Sequence, residues 1–379
     1  MIVIFWAAFF LVVYTYIGYP LAILVLSKTR ELSTQVELRD WPAVTIIVPF
    51  CNESGRVHPK LATLKALNYA GDVQIVFVSD GEEDDTAEVI RRCAASGVDV
   101  VILPARSGKP AALNAAMVVA RHELVLFTDA RQMVDQDALR SLVTSMLSYG
   151  EGCSQKVGAV SGELVFLDEN KDEANIGLYW RYEKIIRQAE SRYGSVPGVT
   201  GALYLIKKEY VRPLADDSLL DDFEMPLSAL RAGERIIFDG GARVFDYPSE
   251  NIEKEKARKI RTLAGNYQAF SRNAWLFVPL INPIWWQFIS HKVLRLIVPY
   301  CLVALLVAPL FNFYGLYMWL WFAQVAFYFL AVGNVRGWVG CKRGLAAIAR
   351  LFVELNVAAV MGAYKFYFGV VDARWERTA

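Results

Sequence analysis

Acidic side chains recur in a fixed order along the middle of this 379-residue chain: Val48-Pro49-Phe50-Cys51-Asn52-Glu53, Ser79-Asp80-Gly81, Thr128-Asp129-Ala130 and Asp221-Asp222-Phe223, followed by Arg258 and Arg261. Glu53, Asp80 and Asp129 each follow a short apolar run. A carboxylate at such a strand end can accept hydrogen bonds from a nucleobase or ribose, which is the chemistry expected of Glu53 and Asp80. Asp129 is expected to offer a hard oxygen to a divalent cation that bridges a diphosphate, since one protein carboxylate plus substrate oxygens and waters suffices for magnesium. Of the pair Asp221-Asp222, one can take the proton from an attacking hydroxyl. Arg258 and Arg261 share a face if their stretch is helical, and there they can reach a leaving diphosphate.

Each of these residues also has a bland role. Glu53 and Asp80 can cap turns, and Asp84 and Asp85, just ahead of Thr86, are read as caps. Asp135 and Asp137 serve the helix that comes after Asp129, which leaves Asp129 for the cation. Asp221 and Asp222 suit a helix start through the macrodipole alone, and Lys254, Lys256, Lys259 and Arg272 suit lipid headgroups. Arg106-Ser107-Gly108-Lys109-Pro110 lacks the Walker spacing, which excludes an ATPase of that kind, but Lys109 at a helix start can still contact a nucleotide. The Gly-x-Gly-x-x-Gly fingerprint of dinucleotide oxidoreductases is missing from the chain.

The elements that position these groups emerge from the hydrophobic pattern. Val44–Val48, Val73–Val78, Val98–Leu103 and Leu124–Phe127 are short and uniformly apolar, as buried parallel strands are. Lys60–Leu67, Thr86–Ser96 and Pro110–Arg121 have helical spacing, with Pro110 suited to a first turn. A short helix is expected over Pro226–Ala232, stopped by Gly233. Strand and helix in alternation predict a doubly wound α/β sheet, whose ligands bind at the carboxyl ends of the strands.

Mean hydropathy is +0.29, and the apolar residues gather at the two ends. Met1–Leu26 carries no charge and, at about 1.5 Å per residue, exceeds the roughly 30 Å of a hydrocarbon core. It is read as an uncleaved anchor over residues 1–27. Lys28 and Arg30 then place the chain beyond Lys28 in the cytoplasm. Leu294–Phe313 and Leu316–Val332 are further candidate spans. Leu351–Val371 is a third, weakened by Glu354 and Lys365. The basic loop with Arg336, Lys342 and Arg343 is expected to face the cytoplasm; three crossings would put the C-terminus outside, whereas Arg374 and Arg377 favour the inside, and both placements stay open. Ala274–Ile289, with its tryptophans and prolines, is expected to lie in the membrane interface. The domains expected are thus the anchor, a cytoplasmic catalytic domain over 41–250, a basic and amphipathic interface segment over 251–291, and C-terminal spans over 292–371. Five scattered cysteines (Cys51, Cys93, Cys153, Cys301, Cys341) form no Cys-x-x-Cys pair and suit a reduced compartment. A net charge of +1 gives no reason to expect nucleic acid.

As an ordered set, these motifs resemble the family 2 glycosyltransferases of GT-A fold, of the membrane-bound kind that includes synthases of cellulose, hyaluronan, chitin and poly-N-acetylglucosamine. The likeness runs from Val44 to about Gly265. It implies a Rossmann-like GT-A sheet with one N-terminal and about three C-terminal transmembrane helices. It implies inverting transfer from a nucleotide diphosphate sugar, UDP-linked, to a lipid-linked or growing exopolysaccharide acceptor at the cytoplasmic face of the cell membrane. Glu53 and Asp80 match acidic positions that hold the nucleotide. Asp129 matches the first Asp of the Asp-x-Asp motif, which holds a divalent cation, Mg or Mn. Asp222 matches the catalytic base. Gly201 lies in the small-residue loop at the acceptor, with Asp221 beside it. Membrane lipids and partners in a polysaccharide biosynthesis complex are implied by the same likeness.

Two departures stand out. Arg131 replaces the second Asp of the metal motif. Arg258-Lys259-Ile260-Arg261-Thr262 stands where processive members carry Gln-x-x-Arg-Trp, so the aromatic that stacks an acceptor sugar is lost, and chain building and single-sugar addition both stay open. Two other classes fit parts of the pattern. A nucleotidylyltransferase would release pyrophosphate, and a polymer-transport component would work without donor turnover.

Overall fold

The computed structural model describes residues 1–30, 40–81, 83–148, 156–167, 178–247, 252–335 and 344–369. Cys153, Cys341, the basic loop of Arg336, Lys342 and Arg343, the end of the third expected span at Val371, and Arg374 and Arg377 lie outside these residues. The chain divides into two compact units. One comprises Met1–Leu26, Asn251–Gln268 and Trp285–Val371, and the other Ser27–Glu250 with Ala269–Ile284.

The second unit is built on an eight-stranded sheet. Its strands are β1 Val44–Phe50, β2 Val73–Ser79, β3 Val98–Ile102, β4 Leu124–Thr128, β5 Met133–Val134, β6 Val157–Phe166, β7 Leu203–Lys207 and β8 Arg235–Asp246. They run in the order β3-β2-β1-β4-β7-β6-β8-β5. β3, β2, β1 and β4 are mutually parallel, and their crossovers are the helices Ser54–Lys65, Thr86–Cys93 and Lys109–Val119. The chain steps outward from β1 to β3 and then returns past β1 to lay down β4. That reversal puts the topological switch point between β1 and β4, where ligands of open α/β sheets bind. Glu53 and Asp129 come directly after these two strands.

The expectation of a doubly wound sheet meets a mixed one. β7 runs antiparallel to both β4 and β6, β6 and β8 are parallel, and β5 closes the edge antiparallel to β8. β1 and β4 are buried along their whole length, as expected of strands covered on both faces. Val44, Ile46, Val48 and Phe50 share one core with Val57, Leu61 and Leu64 of the first crossover helix and with Leu139, Leu142 and Val143 of the helix Ala138–Ser148.

Among the described residues, the first unit holds four helices long and apolar enough to cross a membrane: Ile2–Ser27, Trp285–Asn312, Gly315–Gly333 and Leu345–Phe368. Within the first, a π-turn at Tyr14–Gly18 precedes Pro20, whose missing N–H would otherwise bond within that turn. The segment expected to lie in the interface is divided. Ala274–Phe277 forms a 3-10 turn, and from Trp285 the chain enters the second of these helices, just after Pro283, a residue suited to a helix start. Glu354, which weakened the last candidate span, pairs with Arg350 one turn away at 2.7 Å, which lowers the cost of carrying both charges on an apolar helix. Arg258 and Arg261 lie on the helix Ile252–Arg272, in the stretch assigned to this unit.

Candidate active site

The parallel block contributes three of the expected carboxylates. After β1 the chain turns through Asn52, at φ 53 the one non-glycine residue with positive φ among those described, a conformation Asn tolerates better than most. Its Oδ1 accepts the Glu83 N–H at 3.1 Å. The turn delivers Glu53 to the start of the helix Ser54–Lys65, with the Glu53 N–H donating to Thr86 Oγ1 at 2.9 Å. The Glu53 side chain is 13% exposed and lies 3.5 Å from the Arg56 guanidinium. Burial raises its carboxyl to about 7; the negative charge of Asp129 adds to this, and Arg56, Arg131 and Lys60 oppose it. Asp84, read as a cap, accepts the Thr86 N–H at 3.0 Å.

Asp80 is fully buried. Its Oδ1 accepts N–H groups from Ser107 at 2.7 Å and Gly108 at 2.9 Å. Burial raises its carboxyl, and these two donors work against the rise. Gly81 makes the contact possible: at φ 57, a Cβ on it would lie 2.2 Å from the Ala105 carbonyl carbon and 2.3 Å from the Arg106 nitrogen. Asp80 therefore ties down the loop that carries Lys109. Lys109 in turn reaches two carboxylates, with Nζ 2.9 Å from Asp129 Oδ1 and 3.0 Å from Asp221 Oδ2. Burial disfavours the ammonium, but the charges of Asp129 and Asp221 outweigh it and hold its pKa above the ordinary lysine range.

The end of β4 is braced by a lysine that sequence reasoning passed over. Lys60, 1% exposed, donates to Thr128 Oγ1 and to the Gln132 carbonyl, each at 2.8 Å, while Thr128 Oγ1 donates to the Ala202 carbonyl at 2.8 Å. Burial lowers its pKa to about 7, against the pull of Asp129, Glu53 and Asp246. A signal existed in the sequence: Lys60 interrupts the apolar stripe Val57-Leu61-Leu64 of an amphipathic helix. Arg131 pairs with the buried Asp246 at the end of β8, Nη2 to Oδ2 at 2.5 Å, and Gln132 Nε2 donates to the same oxygen at 3.0 Å.

The other half of the sheet supplies the remaining groups. Asp221 and Asp222 open the short helix Asp221–Glu224, and the helix expected over Pro226–Ala232 runs over Leu227–Arg231 before Gly233 at φ 83. Asp222 Oδ2 accepts the Gly201 N–H at 3.1 Å, and a Cβ on Gly201 would sit 3.1 Å from that oxygen. A second unforeseen residue supports this loop. Arg187 donates from Nη1 to Thr200 Oγ1 at 2.9 Å and from Nη2 to Ser161 Oγ at 2.8 Å, and Ser161 Oγ accepts the Thr200 N–H at 2.9 Å. The guanidinium lies 4.7 Å from the centre of the Phe238 ring. Beneath the site, Tyr204 stacks on Phe127 at 5.0 Å, and its hydroxyl meets Met225 Sδ at 3.2 Å.

The structure thus gathers Asp80, Lys109, Asp129, Asp221, Asp222 and Gly201 into one linked set, with Glu53 close enough to Asp129 for their charges to interact. Arg258 and Arg261 belong to the membrane-type unit. No group of three or more His, Cys, Asp or Glu side chains suited to a metal occurs among the described residues. Two carboxylates, Asp129 and Asp221, nevertheless converge on one positive charge, the Lys109 ammonium. That donor set fits a hard divalent cation whose remaining ligands come from substrate oxygens and water.

Comparison with known proteins agrees with this geometry. Residues 45–214 match the family described as Glycosyl transferase family 2. The chain is 23% identical over 257 residues to the poly-beta-1,6-N-acetyl-D-glucosamine synthase of Staphylococcus aureus (strain MSSA476), a match covering 65% of this chain and 61% of the relative. The corresponding synthase of Staphylococcus epidermidis is 23% identical over 253 residues, covering 65% and 60%. The match therefore spans about three-fifths of the length of these relatives. Among solved structures, the mannosyltransferase PcManGT from Pyrobaculum calidifontis, in complex with GDP-Man and Mn2+, superposes with a TM-score of 0.71 at 21% identity, covering 96% of this chain and 99% of that one. The order of the carboxylates, the strand ends that carry them and these matches mark residues 45–214 as a family 2 glycosyltransferase domain, within a unit of GT-A-like fold.

Proposed function

We propose that the chain is an inverting glycosyltransferase that moves a sugar from a nucleoside diphosphate sugar, UDP-linked, to a lipid-linked or growing exopolysaccharide acceptor at the cytoplasmic face of the cell membrane. The observation that carries the reading is the Lys109 ammonium held between Asp129 and Asp221, with Asp222 next to Asp221 and facing the Gly201 loop. Positive and negative groups alternate there as a donor diphosphate beside a nucleophile requires. Asp222 takes the proton of the acceptor hydroxyl as that oxygen attacks the anomeric carbon, and a single displacement inverts the centre. Gly201 keeps the loop close to Asp222 and leaves no side chain between them.

Lys109 supplies positive charge for the departing diphosphate. A divalent cation on Asp129, when bound, adds Lewis-acid stabilisation of the same leaving group. Four helices of membrane-spanning length and the likeness to poly-beta-1,6-N-acetyl-D-glucosamine synthases support an acceptor that is itself at the membrane. The same likeness favours a second reading, a processive synthase that also translocates its polymer, against which stands Thr262 in place of the stacking aromatic.

The test is a screen of UDP- and GDP-linked sugars with the purified full chain in detergent, reading nucleoside diphosphate release and product mass. A single-sugar mass shift supports addition to a lipid-linked acceptor, a ladder supports the synthase, and pyrophosphate release or no turnover with any donor rejects the proposal.

A further inference from the structure

A divalent cation and the Lys109 ammonium compete for the same oxygens. Asp129 Oδ1 and Asp221 Oδ2 are bridged by Nζ at 2.9 and 3.0 Å, so both atoms best placed to hold a cation are already engaged by one ammonium. The bridge is built into the fold. Asp80 fastens the Ser107 and Gly108 backbone, Gly108 at φ 95 starts the helix that carries Lys109, and the Lys109 side chain is 17% exposed, with Asp129 at 30% and Asp221 at 13%. Arg131, whose position would otherwise offer another carboxylate, is committed to Asp246. With no group of three His, Cys, Asp or Glu side chains suited to a metal among the described residues, a bare cation would have to displace an ammonium and complete its shell without a third such side chain.

We infer that Lys109 is a built-in counter-ion that keeps the free protein from binding a divalent cation, so that the cation enters only together with the donor diphosphate. The diphosphate supplies the missing ligands and, at the same time, an anionic partner onto which the long lysine side chain swings from Asp129 and Asp221. The inference rests on the glycosyltransferase reading above. It adds an order of events: cation and nucleotide bind as one unit, and the cation does not wait in the empty site.

Manganese binding to the full chain in detergent, followed by the electron paramagnetic resonance of free Mn2+, tests this without reference to turnover. In the native chain, Mn2+ is expected to bind weakly alone and at least about tenfold more tightly when UDP or GDP is present. Lys109→Met is expected to bind Mn2+ without nucleotide at least about tenfold more tightly than the native chain, and adding Asp129→Asn to it should abolish the gain. Lys109→Arg, which keeps the charge, should stay as weak as the native chain. Equal Mn2+ affinity of the native chain with and without nucleotide overturns the inference, and so does a Lys109→Met affinity that is unchanged or that survives Asp129→Asn. Should Lys109→Met not fold, the nucleotide dependence of the native chain decides alone. A chain that binds neither UDP nor GDP and turns over no nucleotide sugar fails the glycosyltransferase reading itself. A chain that turns over donor but binds Mn2+ equally well without nucleotide fails only the counter-ion.

Discussion

Asp80, at the end of β2, is fully buried and receives two backbone N–H groups from the loop ahead of Lys109. Asp222, on the far side of β4, is half-buried and receives the N–H of a glycine whose missing side chain keeps the approach open. The parallel block of the sheet thus uses its polar groups to fix a frame: Asp80 on the loop, Asp129 on Lys109, and Thr128 on Lys60. The mixed block keeps a carboxylate within reach of an incoming group. A group that must hold a substrate in register gains from rigid partners, whereas a general base must stay within reach of the hydroxyl it deprotonates.

Substitutions can break this contrast, beginning with the largest effect. Asp222→Asn is expected to lower turnover about a thousandfold while leaving nucleotide affinity within about twofold of native, measured by nucleoside diphosphate release and by calorimetry; near-native turnover would remove it as the base. Arg131→Asp, which restores the second acid of an Asp-x-Asp motif, is expected to lose about 3 to 5 kcal/mol of stability, because it leaves the buried Asp246 facing another carboxylate. A variant as stable as native would show that the pair does not brace the end of β4.

Two smaller effects sharpen the contrast within the parallel block. Burial holds a proton on Glu53 up to about pH 7, whereas the unfolded chain releases it near 4.5, so this group costs stability as pH climbs through that window and the full cost is present above it. Glu53→Gln should therefore melt higher than the native chain at pH 8 and equally at pH 4, the difference bounded at about 3 kcal/mol. A melting difference independent of pH would show that the carboxyl is not raised. Gly81→Ala is expected to cost about 1 to 2 kcal/mol in strain at its positive φ and to push the Ala105–Arg106 backbone away. Thermal melting and a fall in nucleotide affinity check it together.

Much of the parallel block was legible in the residues. β1 to β4 are short apolar runs, and their register places Phe50 beside Ser79 and Ile47 beside Phe127, so the acids just beyond them had to emerge at one end of the sheet. The mixed block was not. β6 and β8 contain glycines and polar residues and pair through register shifts at Val157/Ala159 and Ser161/Glu163, which blurs a period-two pattern. The antiparallel entry of β7 depends on which neighbours it meets, and local propensity carries no trace of that. Lys60 and Arg187 were passed over for a related reason. A basic residue on a helix is normally solvated, and only packing shows these two turned inward against Thr128 and Ser161.

The sequence by itself settled which chemical groups this chain brings, their order, the arginine in place of a metal-motif acid, and the apolar stretches long enough for a membrane. All of these are properties of residues and their near neighbours. Only the tertiary structure decided who holds whom: that Asp80 fastens the loop ahead of Lys109, that Lys109 bridges Asp129 and Asp221, and that Arg131 is tied to Asp246. Those pairings join segments far apart in the chain, and they exist because the strand order β2-β1-β4-β7 brings the segments together. That order is selected by the summed burial of the whole core, to which no local stretch of sequence has access.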